Sequence, residues 1–480
     1  MARVTISFLE TPVDQPLADQ KPFNPTGPLP SHKTGRSMSI VFRPILAFIP
    51  FLLFLAPAPT MATLSFESSL YIAETYIDNL FYRANDKRQD FGTILGPNLF
   101  WQFQNSDVVL GAAYLGRLGV FINNPKANRT LHNMNLVLDV PFLNTLYKGL
   151  TFNIDETLQF TPQLDAFSGS GAQDTGTAFR SPGGNRTRPP DEGTPSLWEG
   201  GTQGVFTNRA NALLNRAALT VGYSLTPRLN ISISYRNQYR RFSSKEFQDS
   251  LSHIGTATFA YQIREGTTIT PSYLYREIHF IGDSTSTTSA NRIRSHSTQL
   301  SLSHTFTPSI QGTLSGGVAW TSQQGAEEFI PVTGGGVIPQ SVSERWKTRF
   351  IGSARISKTY RDGQVSLHAG QSIGGGGGLA SQATRTRTIT GRISHSMTRR
   401  LNGFGSAGYA QNDSLEGQAF NTTTYRIQAG LSYDILSWLS GNLNYSHIKQ
   451  RSKGSAATDL VVNQVFLGIT AFADPWVPIP

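Results

Sequence analysis

From residue 64 to residue 472 the chain is a succession of long segments in which apolar and polar side chains alternate with a period of two. In Leu229–Arg240, Ile231, Ile233, Tyr235 and Tyr239 alternate with Ser232, Ser234, Arg236 and Arg240. In Thr424–Asp434, Tyr425, Ile427, Ala429, Leu431 and Tyr433 oppose Arg426, Gln428, Gly430, Ser432 and Asp434. Period two gives each strand one apolar and one polar face. Eighteen such segments can be drawn, most of 10–14 residues. Globular strands average about 5–6 residues, whereas a tilted membrane-spanning strand needs about 9–11.

The connections sharpen the reading. Short ones (Gln104–Asp107, Thr226–Arg228, Thr307–Ser309, Tyr360–Gly363, Met397–Leu401, Leu436–Leu439) alternate with long ones (Asp78–Asp90, Ile122–Thr130, 162–211, Ser243–Ser252, Gly282–Arg292, Gln323–Glu344, Gly374–Ala383, Asn412–Asn421). All short turns therefore fall on one end and all long loops on the other, as in bacterial outer-membrane barrels. The fold class expected is all-β: a transmembrane antiparallel up-and-down β-barrel of about 18 strands (16–18). A weak repeat marks the short turns at 223–235, 304–316, 395–407 and 433–445. In each, Tyr or His closes one strand and Leu or Ile opens the next, which suggests an interfacial ring.

Composition excludes other classes. Charged residues are 15% of the 480, and only one apolar run, Pro44–Ala58, approaches the ~20 residues that each spanning helix needs, which excludes a helical membrane protein. Phe 29, Tyr 16 and Trp 6 argue against disorder, and the absence of Cys removes disulfides and thiolate metal sites. The net charge of +10 is spread singly, without a nucleic-acid patch. Residues 39–62 carry Arg43, an apolar stretch Ile45–Leu55 and Thr60-Met61-Ala62, which ends in a small residue. Residues 38–62 are expected to be a signal peptide starting at Met38, 1–37 a non-native or disordered extension, and 63–480 the barrel, with 162–211 as a long extracellular loop.

In a barrel the polar face points to the lumen. That places Arg117, Arg216, Arg236, Arg355, Arg392 and Arg426 in the pore, against Glu67, Asp139, Asp155 and Asp434. A lumen lined otherwise by Ser, Thr, Asn and Gln, with an excess of Arg, would favour anions. The plainer reading is that each Arg pairs with a carboxylate and braces the wall. Glu156 falls in phase with Phe152, Ile154, Leu158 and Phe160, which suggests a bulge in that strand. The Gly run 374–378 lacks the Lys-Ser/Thr of a phosphate loop. The nine His form no metal-ligand pair, so no metal or cofactor is expected. Glu277 and His279 share one face near the long-loop end; a solvated pair is the plainer reading than a catalytic one, and no enzyme activity is expected.

The segment AETYIDNLFYRANDKRQDFGTILGPNLFWQF at 73–103 resembles the opening of the outer-membrane β-barrel family associated with exosortase (PEP-CTERM) and exopolysaccharide loci. The shared features are Tyr76-Ile77-Asp78-Asn79, with Ile where the family has Thr, and Gly96-Pro97 in reversed order. The turn YSLTPRL at 223–229 and the ending DLVVNQVFLGITAF at 459–472 are similar too. The resemblance implies a cell outer membrane location in a Gram-negative type of envelope. The partners implied are outer-membrane lipid, the barrel assembly machinery, and polysaccharide or small anionic solutes; no nucleic acid is implied. Eight residues follow Phe472, a departure from the terminal aromatic that assembly usually uses. The function expected is a water-filled channel for solutes or exopolysaccharide export; the alternative is a structural or adhesive surface barrel with a blocked lumen.

Overall fold

The computed structural model describes residues 63–162, 211–243, 248–281, 292–324, 327–332, 336–341, 346–375, 383–415, 420–454 and 459–474. The expected leader and most of the 162–211 loop lie outside the described residues. Twenty strands follow in order: β1 (Thr63–Ile77), β2 (Asp90–Gln104), β3 (Val109–Phe121), β4 (Arg129–Asp139), β5 (Leu150–Pro162), β6 (Asn211–Thr226), β7 (Leu229–Phe242), β8 (Asp249–Arg264), β9 (Thr267–Ile281), β10 (Arg292–Thr307), β11 (Ile310–Gln324), β12 (Glu327–Val332), β13 (Gly336–Ser341), β14 (Lys347–Tyr360), β15 (Gly363–Gly375), β16 (Ala383–Ser396), β17 (Leu401–Ser414), β18 (Phe420–Leu436), β19 (Leu439–Gly454) and β20 (Leu460–Phe472).

Eighteen of these form one sheet in which every neighbour is antiparallel. It closes because β1 pairs with both β2 and β20. The expected antiparallel eighteen-stranded barrel is therefore what the ladders build. The connection between β11 and β14 carries something unexpected, a separate two-stranded hairpin of β12 and β13 outside the wall. The four register shifts, at Ser224/Thr226, Gln262/Arg264, Thr305/Thr307 and Asp434/Leu436, all fall just before a short turn. Gly266 makes one of those turns at φ +73°, where a Cβ would be strained.

The alternation is realised as an apolar outside. Ile233 (62% exposed), Leu314 (63%), Phe350 (63%) and Leu467 (63%) stand on the exterior. A continuous apolar exterior of this kind is foreign to a water-facing surface. At the short-turn end Tyr223 and Tyr433 point out, His304 meets Phe306 edge-on at 4.7 Å, and Tyr360 lies 5.7 Å from His395. A second ring stands at the long-loop end. There Tyr273 Oη and His296 Nδ1 are 2.6 Å apart, His296 lies 5.3 Å from Trp346, and Tyr409 lies 5.4 Å from Tyr425. Along β10, Phe306 and His296 are ten residues apart. That is about 33 Å of strand, or about 25 Å along the axis at a tilt of about 40°, the height of an outer-membrane apolar band.

Glu156 corrects the expected bulge. β5 pairs with β4 and β6 without a register shift, so the carboxylate does lie on the outer face. It is held there by Asn215, whose Nδ2 donates to Oε1 at 3.0 Å.

Candidate functional site in the barrel lumen

The inner wall divides into an apolar half and a basic half. The apolar half was not expected. Tyr71, Ala73, Ile77, Ile94, Leu115, Phe121, Leu131, Ile448, Val462 and Phe466 project inward and are buried together with Leu80 and Tyr82 of the β1–β2 loop. The expected lining of Ser, Thr, Asn and Gln therefore holds for only part of the circumference.

Two of the quoted sequence motifs meet here. Asp78 accepts hydrogen bonds from the Asn463 backbone amide (2.7 Å) and its side-chain amide (2.6 Å). Asn79 donates to the carbonyls of Val461 (3.1 Å) and Arg83 (2.7 Å), and accepts from the Arg83 amide (3.0 Å). The Tyr-Ile-Asp-Asn segment thus ties the first long loop to the last strand at the seam. A second clasp is Asp90, which accepts from Asn123 and Asn124 side chains at 3.1 and 2.7 Å.

The basic half lies on β6–β9 and β14. Arg216 on β6 and Arg236 and Arg240 on β7 share the inward phase with Ser232 and Ser234. Arg276 on β9 is inward as well. Arg240 feels the charge of Arg216, and Arg276 that of Arg236. Arg236 and Arg355 are exposed on the inner wall. Among the described residues no carboxylate stands within ion-pair distance of either. Arg392 also faces inward and is half-buried.

The other two expected pore arginines occupy packing positions. Arg117 is inward but 3% exposed. Its guanidinium lies 4.7 Å from the Tyr71 ring centre and donates to the Gly116 carbonyl at 2.6 Å. Arg426 is 2% exposed beside the Gln428 amide. Of the expected carboxylates, Asp139 accepts from Asn153 (2.6 Å) and Asp155 from Asn135 (3.1 Å).

Arg240 and Arg276 are the pore arginines that sequence reasoning did not single out. Arg240 was legible, being in phase with Arg236. Arg276 was not, because Leu274, Ile278 and Phe280 share its face and erase the polar signature of β9. Arg276 also narrows the lumen. Its Nη1 donates to the Ile373 carbonyl of β15, four strands further round the wall, at 2.9 Å. Nearby, Ile278 and Ile293 pack on Ala383, with Phe280 and Leu415 against them. The Ala383 amide donates to Gln323 Oε1 at 3.3 Å.

Glu277 and His279 lie outside the lumen. They face outward at the long-loop end, 3.1 Å apart, and Glu277 is also paired with Arg292 and Arg294. Tyr275 donates to its other oxygen at 2.9 Å. Among the described residues no cluster suited to a metal ion occurs.

Residues 358–472, from the end of β14 through β20, match the family model described as "Putative beta-barrel porin 2". No curated protein matches the chain. Among solved structures, Pseudomonas aeruginosa OccK2 (OpdF) is similar at 12% identity and TM-score 0.41, over 85% of this chain and 98% of that one. P. aeruginosa OccK1 (OpdK) gives 12% and 0.42 over 86% and 99%. Acinetobacter baumannii OccAB3 gives 10% and 0.39, likewise over 86% and 99%. The architecture described above rests on the strand ladders of this chain itself.

Proposed function

We propose that this protein is an outer-membrane channel that passes anionic solutes along the arginine-lined wall of β6–β9 and β14. The observation that carries the reading is the exposure of Arg236 and Arg355 to the lumen with no carboxylate beside them among the described residues. In a tube with low-dielectric walls such charges concentrate the field and raise the local anion concentration. Carboxylate-bearing small molecules and acidic polysaccharide chains are the two substrate classes of the right sign. The apolar band and its two aromatic rings support the membrane placement, with short turns inward and long loops outward. The match of the last third of the wall to a porin family model supports it as well.

The test is planar-bilayer conductance of the refolded chain in a salt gradient. Wild type is expected to show a reversal potential of anion-selective sign. Replacing Arg236, Arg276 and Arg355 together by Gln is expected to move it toward cation preference. Unchanged selectivity would make these arginines wall braces. A second reading, a structural barrel with a blocked lumen, is favoured by the Arg276–Ile373 contact inside the bore. Absence of any conductance would select it.

A further inference from the structure

On the outside of the barrel, at the long-loop end of β16–β19, four cations stand together with no carboxylate within ion-pair distance among the described residues. We propose that they form a binding site for the phosphate group of a membrane lipid.

The ladder fixes their arrangement. Lys449, Arg451 and Lys453 alternate along β19 in the outward phase of Leu443 and Tyr445. Arg387 on β16 lies in the same lateral row as Arg451, through Gln411 and Thr423. Strands are about 4.8 Å apart and rise about 3.3 Å per residue. The patch therefore measures about 14 Å across, from Arg387 to Arg451, and about 13 Å along the strand, from Lys449 to Lys453.

Arg387 is positioned yet not neutralised. Its Nε donates to Gln371 Oε1 at 3.0 Å and its Nη1 to Gln411 Oε1 at 3.2 Å, both neutral amides. Among the described residues no carboxylate lies within ion-pair distance of Lys449, Arg451 or Lys453. The nearby acids among the described residues are engaged elsewhere: Asp413 by Arg385, and Asp459 by the Ser452 amide at 2.6 Å. Between the cations β18 offers only Asn421, Thr423 and Tyr425 on this face.

The surroundings select a lipid over a soluble anion. Tyr409 and Tyr425 occupy the row directly beneath, next to Lys449. This places the cations just above an aromatic ring, at headgroup level. Lower on the same strands the exterior is apolar, with Ile393, Leu431 and Leu443 exposed. Charge-assisted contacts from Arg and Lys to phosphate are the strong kind of hydrogen bond.

The proposal rests on the membrane placement above and not on the channel reading, since all four side chains face outward. The test uses the refolded full chain in detergent micelles, with lipid adducts counted by native mass spectrometry. Phosphatidic acid is the probe, phosphatidylcholine the control and inorganic phosphate the competitor. Wild type is expected to prefer phosphatidic acid by tenfold or more. The variant Arg387→Gln/Lys449→Gln/Arg451→Gln/Lys453→Gln is expected to lose that preference while keeping the β-sheet circular dichroism and the heat-modifiable gel mobility of wild type, which shows that it has folded. Lys449→Arg/Lys453→Arg is expected to keep the preference. Equal binding of both lipids by wild type, or an undiminished preference in the four-fold variant, overturns the site. Full displacement by equimolar inorganic phosphate overturns the lipid as its occupant.

Discussion

At the residue scale, the chain shows how little a single polar group must be paired to survive in an unfavourable place. Glu156 stands on the apolar exterior, where Asn215 donates to it. A charged side chain facing lipid is costly, less so for Glu than for Arg or Lys. Replacing both residues by Leu is therefore expected to stabilise the barrel by about 1 kcal/mol or more, read as a raised urea midpoint in lipid vesicles. The converse substitution, Ile427→Arg, puts a cation on the same kind of surface and is expected to cost about 2–4 kcal/mol if it falls near the midplane. Asp78 behaves oppositely, because it accepts both donors of Asn463. Asp78→Ala leaves both without their acceptor, which is expected to cost about 1–3 kcal/mol in the same assay.

At the scale of the element, period-two alternation carried the fold because most strands have one face toward the apolar exterior and one toward polar groups. β7 and β18 show the pattern plainly. It weakens where both faces are apolar. On β20, Leu460, Val462 and Phe466 point inward while Val461, Val465 and Leu467 point outward. Nothing in that strand's pattern announces an apolar half-core inside the barrel, since that core forms only when the β1–β2 loop folds onto it. The β12–β13 hairpin escaped for another reason: its strands have six residues each and contain Pro331 and Pro339, which read as loop. The parity of short and long connections was legible throughout and gives a topology test. The chain has no Cys, so introduced thiols report cleanly. A Cys at Lys87 in the β1–β2 loop is expected to react with an impermeant reagent on whole cells, and a Cys at Ser309 in a short turn is not. The reverse pattern would invert the barrel.

For the whole molecule, the decisive quantity is how much of an eighteen-stranded bore remains open. A barrel of 16–18 strands leaves an aqueous channel unless something fills it. Here the apolar half-core occupies the wall around β1–β4 and β20, and the Arg276–Ile373 hydrogen bond links β9 to β15 on the other side. A solute passing between them would come close to Arg236 and Arg240. Salt screens charge over about 10 Å at 0.1 M and about 3 Å at 1 M. A narrow path keeps its ion preference as salt rises through this range, whereas a wide one loses it. The constriction makes the first behaviour the expected one. Loosening it at Ile293 and Leu415, which pack around Ala383, separates size from charge. The double variant Ile293→Ala/Leu415→Ala is expected to raise single-channel conductance while leaving the sign of selectivity intact at 0.1 M. Its preference should fade earlier with salt than that of wild type. Unchanged conductance would mean that this cluster does not border the path and that solutes cross the bore elsewhere along the arginine wall.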